Sequence, residues 1–168
     1  MIAFLQSCSR SADALNSFVA QMVRWLAVLM VVATFGVVVL RYAFNIGAIP
    51  LQESVMYMHG LLFMLGIPYS LLTDSHVRVD LIYSRLKPIH KNRIDLAGHL
   101  LFLLPISVFI FFTSLPYVSA SWRVFEGSAE VGGIPGIFLL KTLIPVMAVL
   151  LFLQGLSQII KLLTAKQD

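Results

Sequence analysis

Trp25 to Leu40 reads WLAVLMVVATFGVVVL, an uncharged apolar run. A helix of that run is about 24 Å long at about 1.5 Å per residue. It reaches the roughly 30 Å of a hydrocarbon core by continuing through Arg41 to Phe44, with the Arg41 head extended toward water. Span one is therefore expected over 25–44. Working outward, Ser54–Thr73 contains no Lys, Arg, Asp or Glu and makes span two; Pro68 bends it without ending it, since neighbouring helices satisfy the freed carbonyl. Leu96–Trp122 is uncharged for 27 residues, too long for a perpendicular crossing, so span three tilts or projects, with bends at Pro105 and Pro116. Span four covers 139–160, with Lys141 near its entry and Pro145 one turn further on. The composition agrees: 59% of the 168 residues are apolar and 12% charged, against roughly 45–50% and about 25% in an average globular chain. The expected fold is an all-α integral membrane protein of four transmembrane helices, with no room for a separate catalytic domain.

The charges orient those spans. Arg10, Arg24, Arg78, Arg85, Lys87, Lys91, Arg93, Lys161 and Lys166 fall on one side, and only Arg41, Arg123 and Lys141 on the other. The positive-inside rule places residues 1–24, 74–95 and 161–168 in the cytoplasm and the connection 123–138 outside. Trp25 and Trp122 then sit at opposite membrane surfaces, where indoles prefer to lie. The net charge of +4 reflects this placement, not nucleic-acid binding.

Within 74–95, Val77, Leu81, Ile82 and Leu86 recur at helical intervals while Arg78 and Arg85 point elsewhere, until Pro88 interrupts. A short amphipathic helix in the inner interface is expected, with Arg78 near lipid phosphates or Asp80 and with Leu81 and Ile82 facing the tails. Residues 2–22 are weakly amphipathic and read as a second interfacial arm. Cys8 is the only cysteine, which excludes an intrachain disulfide and a cysteine metal cluster. Too few residues precede it for a lipoprotein site or a cleavable signal, so it reads as an ordinary tail residue.

Little in the spans suggests chemistry. Ion-coupled carriers place carboxylates or polar clusters at mid-depth, but here every Asp and Glu falls in a tail or connection. A haem held by His59 and His99 is ruled out by depth: the two lie roughly 18 Å apart across the core. His76 and His90 belong to the cytoplasmic connection. Gly132-Gly133-Ile134-Pro135-Gly136 contains a formal GxxxG, but Pro135 makes it a turn. No cofactor site and no enzyme active site is expected. The outer charges Arg123, Glu126 and Glu130, beside Trp122, suit docking of a soluble partner, and Arg41 and Lys141 suit contacts with lipid or with another subunit.

Several short motifs together resemble one family. Arg41-Tyr42-Ala43-Phe44-Asn45 closes span one, Gln52-Glu53-Ser54 opens span two, and His76-Val77-Arg78-Val79-Asp80 follows it. With Ser121-Trp122-Arg123, Glu126-Gly127-Ser128, Lys141-Thr142 and Gln154-Gly155, these resemble the small permease subunit of tripartite ATP-independent periplasmic (TRAP) transporters. Many members carry a tryptophan and paired acids where this chain has Pro50-Leu51-Gln52-Glu53. The resemblance implies a bacterial inner-membrane scaffold that supports a large permease subunit, to which a periplasmic binding protein delivers an organic acid. Sodium would then be a cofactor of the large subunit, and this chain's partners would be those two proteins and membrane lipids. The alternative from another class is a non-catalytic membrane anchor of a redox enzyme.

Overall fold

The computed structural model describes residues 2–75 and 87–164, and these form four helical rods. α1 is Ile2–Ala43, α2 is Ile49–Leu72, the third rod is α3 (Pro88–Gly98), a π-helical turn (His99–Leu103) and α4 (Leu104–Arg123), and α5 is Ile137–Thr164. Each rod is long and apolar enough to cross a membrane. Among the described residues there is no strand. The expected interfacial helix 77–86 lies outside the described residues.

α1 departs from expectation. Arm and span are one uninterrupted helix of 42 residues, about 63 Å long. The reason lies in its buried face: Ser9, Asn16, Ala20 and Val23 are all buried, and with Asp13 they recur at alternating spacings of four and three. That 3.5-residue period keeps one side of the helix against its neighbours, and Ser9, Asp13 and Asn16 meet α5 there. The face that looked like a membrane-surface arm is a helix–helix seam.

Local sequence sets the other boundaries. Pro50 sits in the first turn of α2 and Pro88 opens α3, positions where the missing N–H is no loss. At the start of α4, Pro105 supplies no N–H to the helical ladder. Beside it the Leu104 N–H reaches back to the His99 carbonyl, five residues away, which is the π turn. The wider turn brings Leu103 and Leu104 against α5 at Gly155, where an added Cβ would lie 2.7 Å from Leu103 Cδ2.

α5 is the central element, packed against α1, α2 and α4. Leu71, Met147 and Leu151 form the apolar core, flanked by Met64, Ile67, Leu103 and Ile110. α4 meets α5 through Ser107, Ser114, Val118 and Ser121, all buried and spaced by seven, four and three residues. Small residues at such spacing let helix backbones approach closely in lipid, where dispersion and hydrogen bonds drive association. The Ser107 and Ser114 hydroxyls donate to the Leu103 and Phe111 carbonyls at 2.7 and 2.9 Å, so burial leaves neither unsatisfied.

Candidate functional site

Two polar clusters mark opposite ends of the bundle. The first is the seam where the start of α1 meets the last turns of α5. Asn16 Nδ2 donates to Gln154 Oε1 at 2.7 Å, Gln154 Nε2 donates to Asp13 Oδ1 at 2.9 Å, and Ser157 Oγ donates to the same oxygen at 2.7 Å. The Ser9 and Ser157 hydroxyls lie 2.7 Å apart, and Lys161 closes the row on Asp13 Oδ2 at 2.6 Å. Gln154 and Asn16 are almost wholly enclosed. Buried amides and charges are stable only when partnered, and here each helix supplies partners to the other, although Asn16 Oδ1 accepts no hydrogen bond among the described residues.

The second cluster surrounds the connection 124–136. Glu53, in the first turns of α2, accepts a hydrogen bond from the Ser128 hydroxyl on one oxygen and from the Ile134 N–H at 2.5 Å on the other. Gly133 is required there, because a Cβ would collide with Ser128 and with Glu53 Oε1. Gly132 takes φ +80°, a left-handed conformation that suits glycine. The pentapeptide is thus the expected turn. Glu126 pairs with Lys141 at 2.5 Å, and the Lys141 ammonium lies 4.2 Å from the Tyr117 ring centre. Trp122 Nε1 donates to Thr142 Oγ1 at 2.9 Å, and the indole stacks edge-on against Phe138 at 4.6 Å. The hydrogen bond from Lys141 holds the Glu126 carboxyl below its ordinary value.

Arg123, Glu126 and Glu130 are brought to one end of the molecule with Arg41 and Lys141, but not into one network. Lys141 and Glu126 hold each other. Arg41 has no hydrogen-bond or ion-pair partner among the described residues, and neither does the Glu130 carboxylate. Arg78, Asp80, Leu81 and Ile82 lie outside the described residues. His99 lines a cleft with Leu71 and Asp74 at the far end of α2. His59 stacks on Phe63 twelve residues earlier on α2 than Leu71, about 18 Å away along the axis. The two imidazoles occupy different levels. Among the described residues no group of three His, Cys, Asp or Glu is placed to hold a metal.

Sequence reasoning missed the seam because it read the helices one at a time. The available signal was the pairing of Ser9, Asp13 and Asn16 with Gln154, Ser157 and Lys161, each set on one helical face. It also missed a stripe on α1: Leu15, Phe18, Met22, Trp25, Leu29 and Val32, all exposed, alternate at three and four residues.

Four membrane-length helices, locked by a polar seam at one end and by a stapled connection at the other, define a multi-pass membrane protein. Residues 30–165 match the family described as Tripartite ATP-independent periplasmic transporters, DctQ component. The chain belongs to that family and is a small membrane subunit of a TRAP transporter. The family is a transporter component and not a class of enzymes. No curated protein and no solved structure matches the chain. The match begins inside α1 beyond Asn16, so one side of the seam precedes it.

Proposed function

We propose that this subunit scaffolds and orients the large permease of a sodium-coupled, binding-protein-dependent importer of an organic acid in the bacterial inner membrane, with both termini and residues 74–95 cytoplasmic. The observation that carries the scaffold reading is the exposed apolar surface of α1. It runs from Phe4 to Tyr42, interrupted between Leu5 and Leu15 by exposed Gln6, Ser7, Arg10 and Ser11, about 57 Å along the helix. Even at a tilt of about 40°, the steep end of the range for membrane helices, it rises about 44 Å against a hydrocarbon core of roughly 30 Å. Lipid tails cannot cover all of it. The heptad-like spacing of its central stripe suits a helix of another subunit. Arg78, Asp80, Leu81 and Ile82 are proposed to extend the same assembly surface along the inner interface.

A photo-crosslinking residue at Phe18 in native membranes should capture the large permease. Proteoliposomes holding this chain alone should take up no substrate, whereas adding the large permease and the binding protein should restore uptake. Crosslinking only to lipid, or substrate accumulation by the chain alone, would sink the scaffold reading. The orientation has its own test. With Cys8 replaced, single cysteines at positions 90 and 128 are exposed to a membrane-impermeant thiol reagent in spheroplasts, and only position 128 should react.

A further inference from the structure

Of the outer-end cations Arg41, Arg123 and Lys141, Arg41 lines two adjoining clefts. The larger, about 500 Å³, is bounded by Arg41, Ile49, Gln52, Glu53, Met56 and Glu130. The smaller, about 330 Å³, shares Arg41, Ile49 and Gln52 and runs down to Val37. The walls are chemically graded. Val37 and Met56 lie one turn or so deeper along α1 and α2 than Arg41 and Gln52, on the side of the apolar spans. Above them Arg41 lines both clefts with no hydrogen-bond or ion-pair partner among the described residues, and Glu130, whose carboxylate is equally unpartnered among them, stands on the connection at the other wall. Both Glu53 oxygens already accept hydrogen bonds, so its charge adds to a negative wall without needing a ligand.

A guanidinium fork matches a phosphate bidentately, and a carboxylate on the facing wall favours an ammonium and opposes a second anion. The level matters as well. Arg41 ends the uncharged run of α1, and Glu53 precedes the uncharged run of α2, which is where headgroups meet hydrocarbon. We propose that this cleft seats a phospholipid with a primary-amine headgroup from the outer leaflet, its phosphate on Arg41, its ammonium toward Glu130, and its glycerol end along Met56 and Val37. The leaflet assignment rests on the orientation proposed above. Headgroup preference is measured without reference to orientation, so the two fail separately.

The test is retention of phosphatidylethanolamine, phosphatidylcholine and phosphatidylglycerol from an equimolar mixture by the purified chain, read by native mass spectrometry. The wild type should retain phosphatidylethanolamine above the other two. Arg41→Ala should lower that retention about tenfold, the loss expected for a charge-assisted hydrogen bond to phosphate, and Arg123→Ala, outside the cleft, should not. Glu130→Gln lies on a surface connection where misfolding is not a concern. It should erase the preference for phosphatidylethanolamine over phosphatidylglycerol while keeping a bound lipid. Equal retention of all three lipids by the wild type, or unchanged retention in Arg41→Ala, overturns the proposal. So does loss of binding-protein affinity in Arg41→Ala without any change in lipid, which assigns the cleft to protein docking.

Discussion

The seam between α1 and α5 and the cluster around 124–136 are built from similar groups and do different work. In the seam the shortest bonds join side chains on two helices, more than 130 residues apart in sequence. In the outer cluster a helix carboxylate, Glu53, holds a loop, partly through the backbone N–H of Ile134. Breaking the first should loosen helix from helix; breaking the second should change the shape of a surface while the bundle stays closed. The difference teaches that one end of this molecule is held helix to helix and the other by a loop stapled onto a helix.

The sharpest break of that contrast is Gln154→Leu. It takes from Asn16 Nδ2 its shorter hydrogen bond, leaving the 3.4 Å one to the Leu150 carbonyl, and removes one of the Asp13 contacts in an enclosed site, and should cost about 2 kcal/mol. Thermal unfolding of the purified chain in detergent should show a clearly lower midpoint. Adding Asn16→Leu should recover part of the loss, because replacing both members of a buried pair by apolar groups is close to neutral. A double variant less stable than the sum of the single ones would mean the seam is held by something other than this pair.

Glu53→Ala tests the other region. Two charge-assisted hydrogen bonds to the connection disappear, a local loss of about 2 kcal/mol, yet the helices keep their packing. Hydrogen exchange should accelerate at Ile134 and its neighbours by more than tenfold, with the unfolding midpoint moved less than by Gln154→Leu. If the two variants shift the midpoint equally, the connection is part of the core and the contrast fails.

How much of this was legible in the sequence follows from the same contrast. The four spans could be read because lipid imposes a one-dimensional rule, an apolar run of sufficient length, that needs no knowledge of neighbours. The seam was hidden because its evidence is split between residues 9–16 and 154–161 and depends on antiparallel register. Arg10 and Asp13 lowered the apparent hydropathy of a segment that in three dimensions is the first third of a spanning helix. The roles of Glu53 and Glu126 were hidden for a related reason. A carboxylate in an outer connection looks solvated until the loop that folds over it, with Gly133 as the only residue small enough, is known.

A smaller effect is expected from the surface charges. Arg123 and Glu130 remain the candidates for docking the binding protein, while Glu126 contributes by holding the connection through Lys141. Reversing Arg123 and Glu130 together should raise the binding-protein concentration for half-maximal transport several-fold at low salt and scarcely at all at high salt, since exposed charges are screened over about 8 Å at physiological ionic strength. An unchanged concentration at every salt would remove this face from docking.

The smallest effect is a pH response confined to the connection. Glu126 titrates below its ordinary value because Lys141 donates to it. When the folded value is depressed, the group binds protons more readily in the unfolded chain, so its contribution is fully present above the ordinary value and is lost as pH falls through the depressed one. Trp122 is the reporter, since it packs on Phe138 and bonds Thr142 one residue from Lys141. With Trp25→Phe to leave one indole, emission should stay constant from about pH 8 to about pH 5 and shift to the red only below the ordinary carboxylate range of about 4.3. Glu126→Gln should abolish that step and show the shifted emission already at neutral pH, whereas Glu53→Gln should leave the step in place. A wild-type step between about pH 5 and pH 8 would mean that another group, titrating near neutrality, governs the connection and that the Glu126–Lys141 pair is not what fixes the indole.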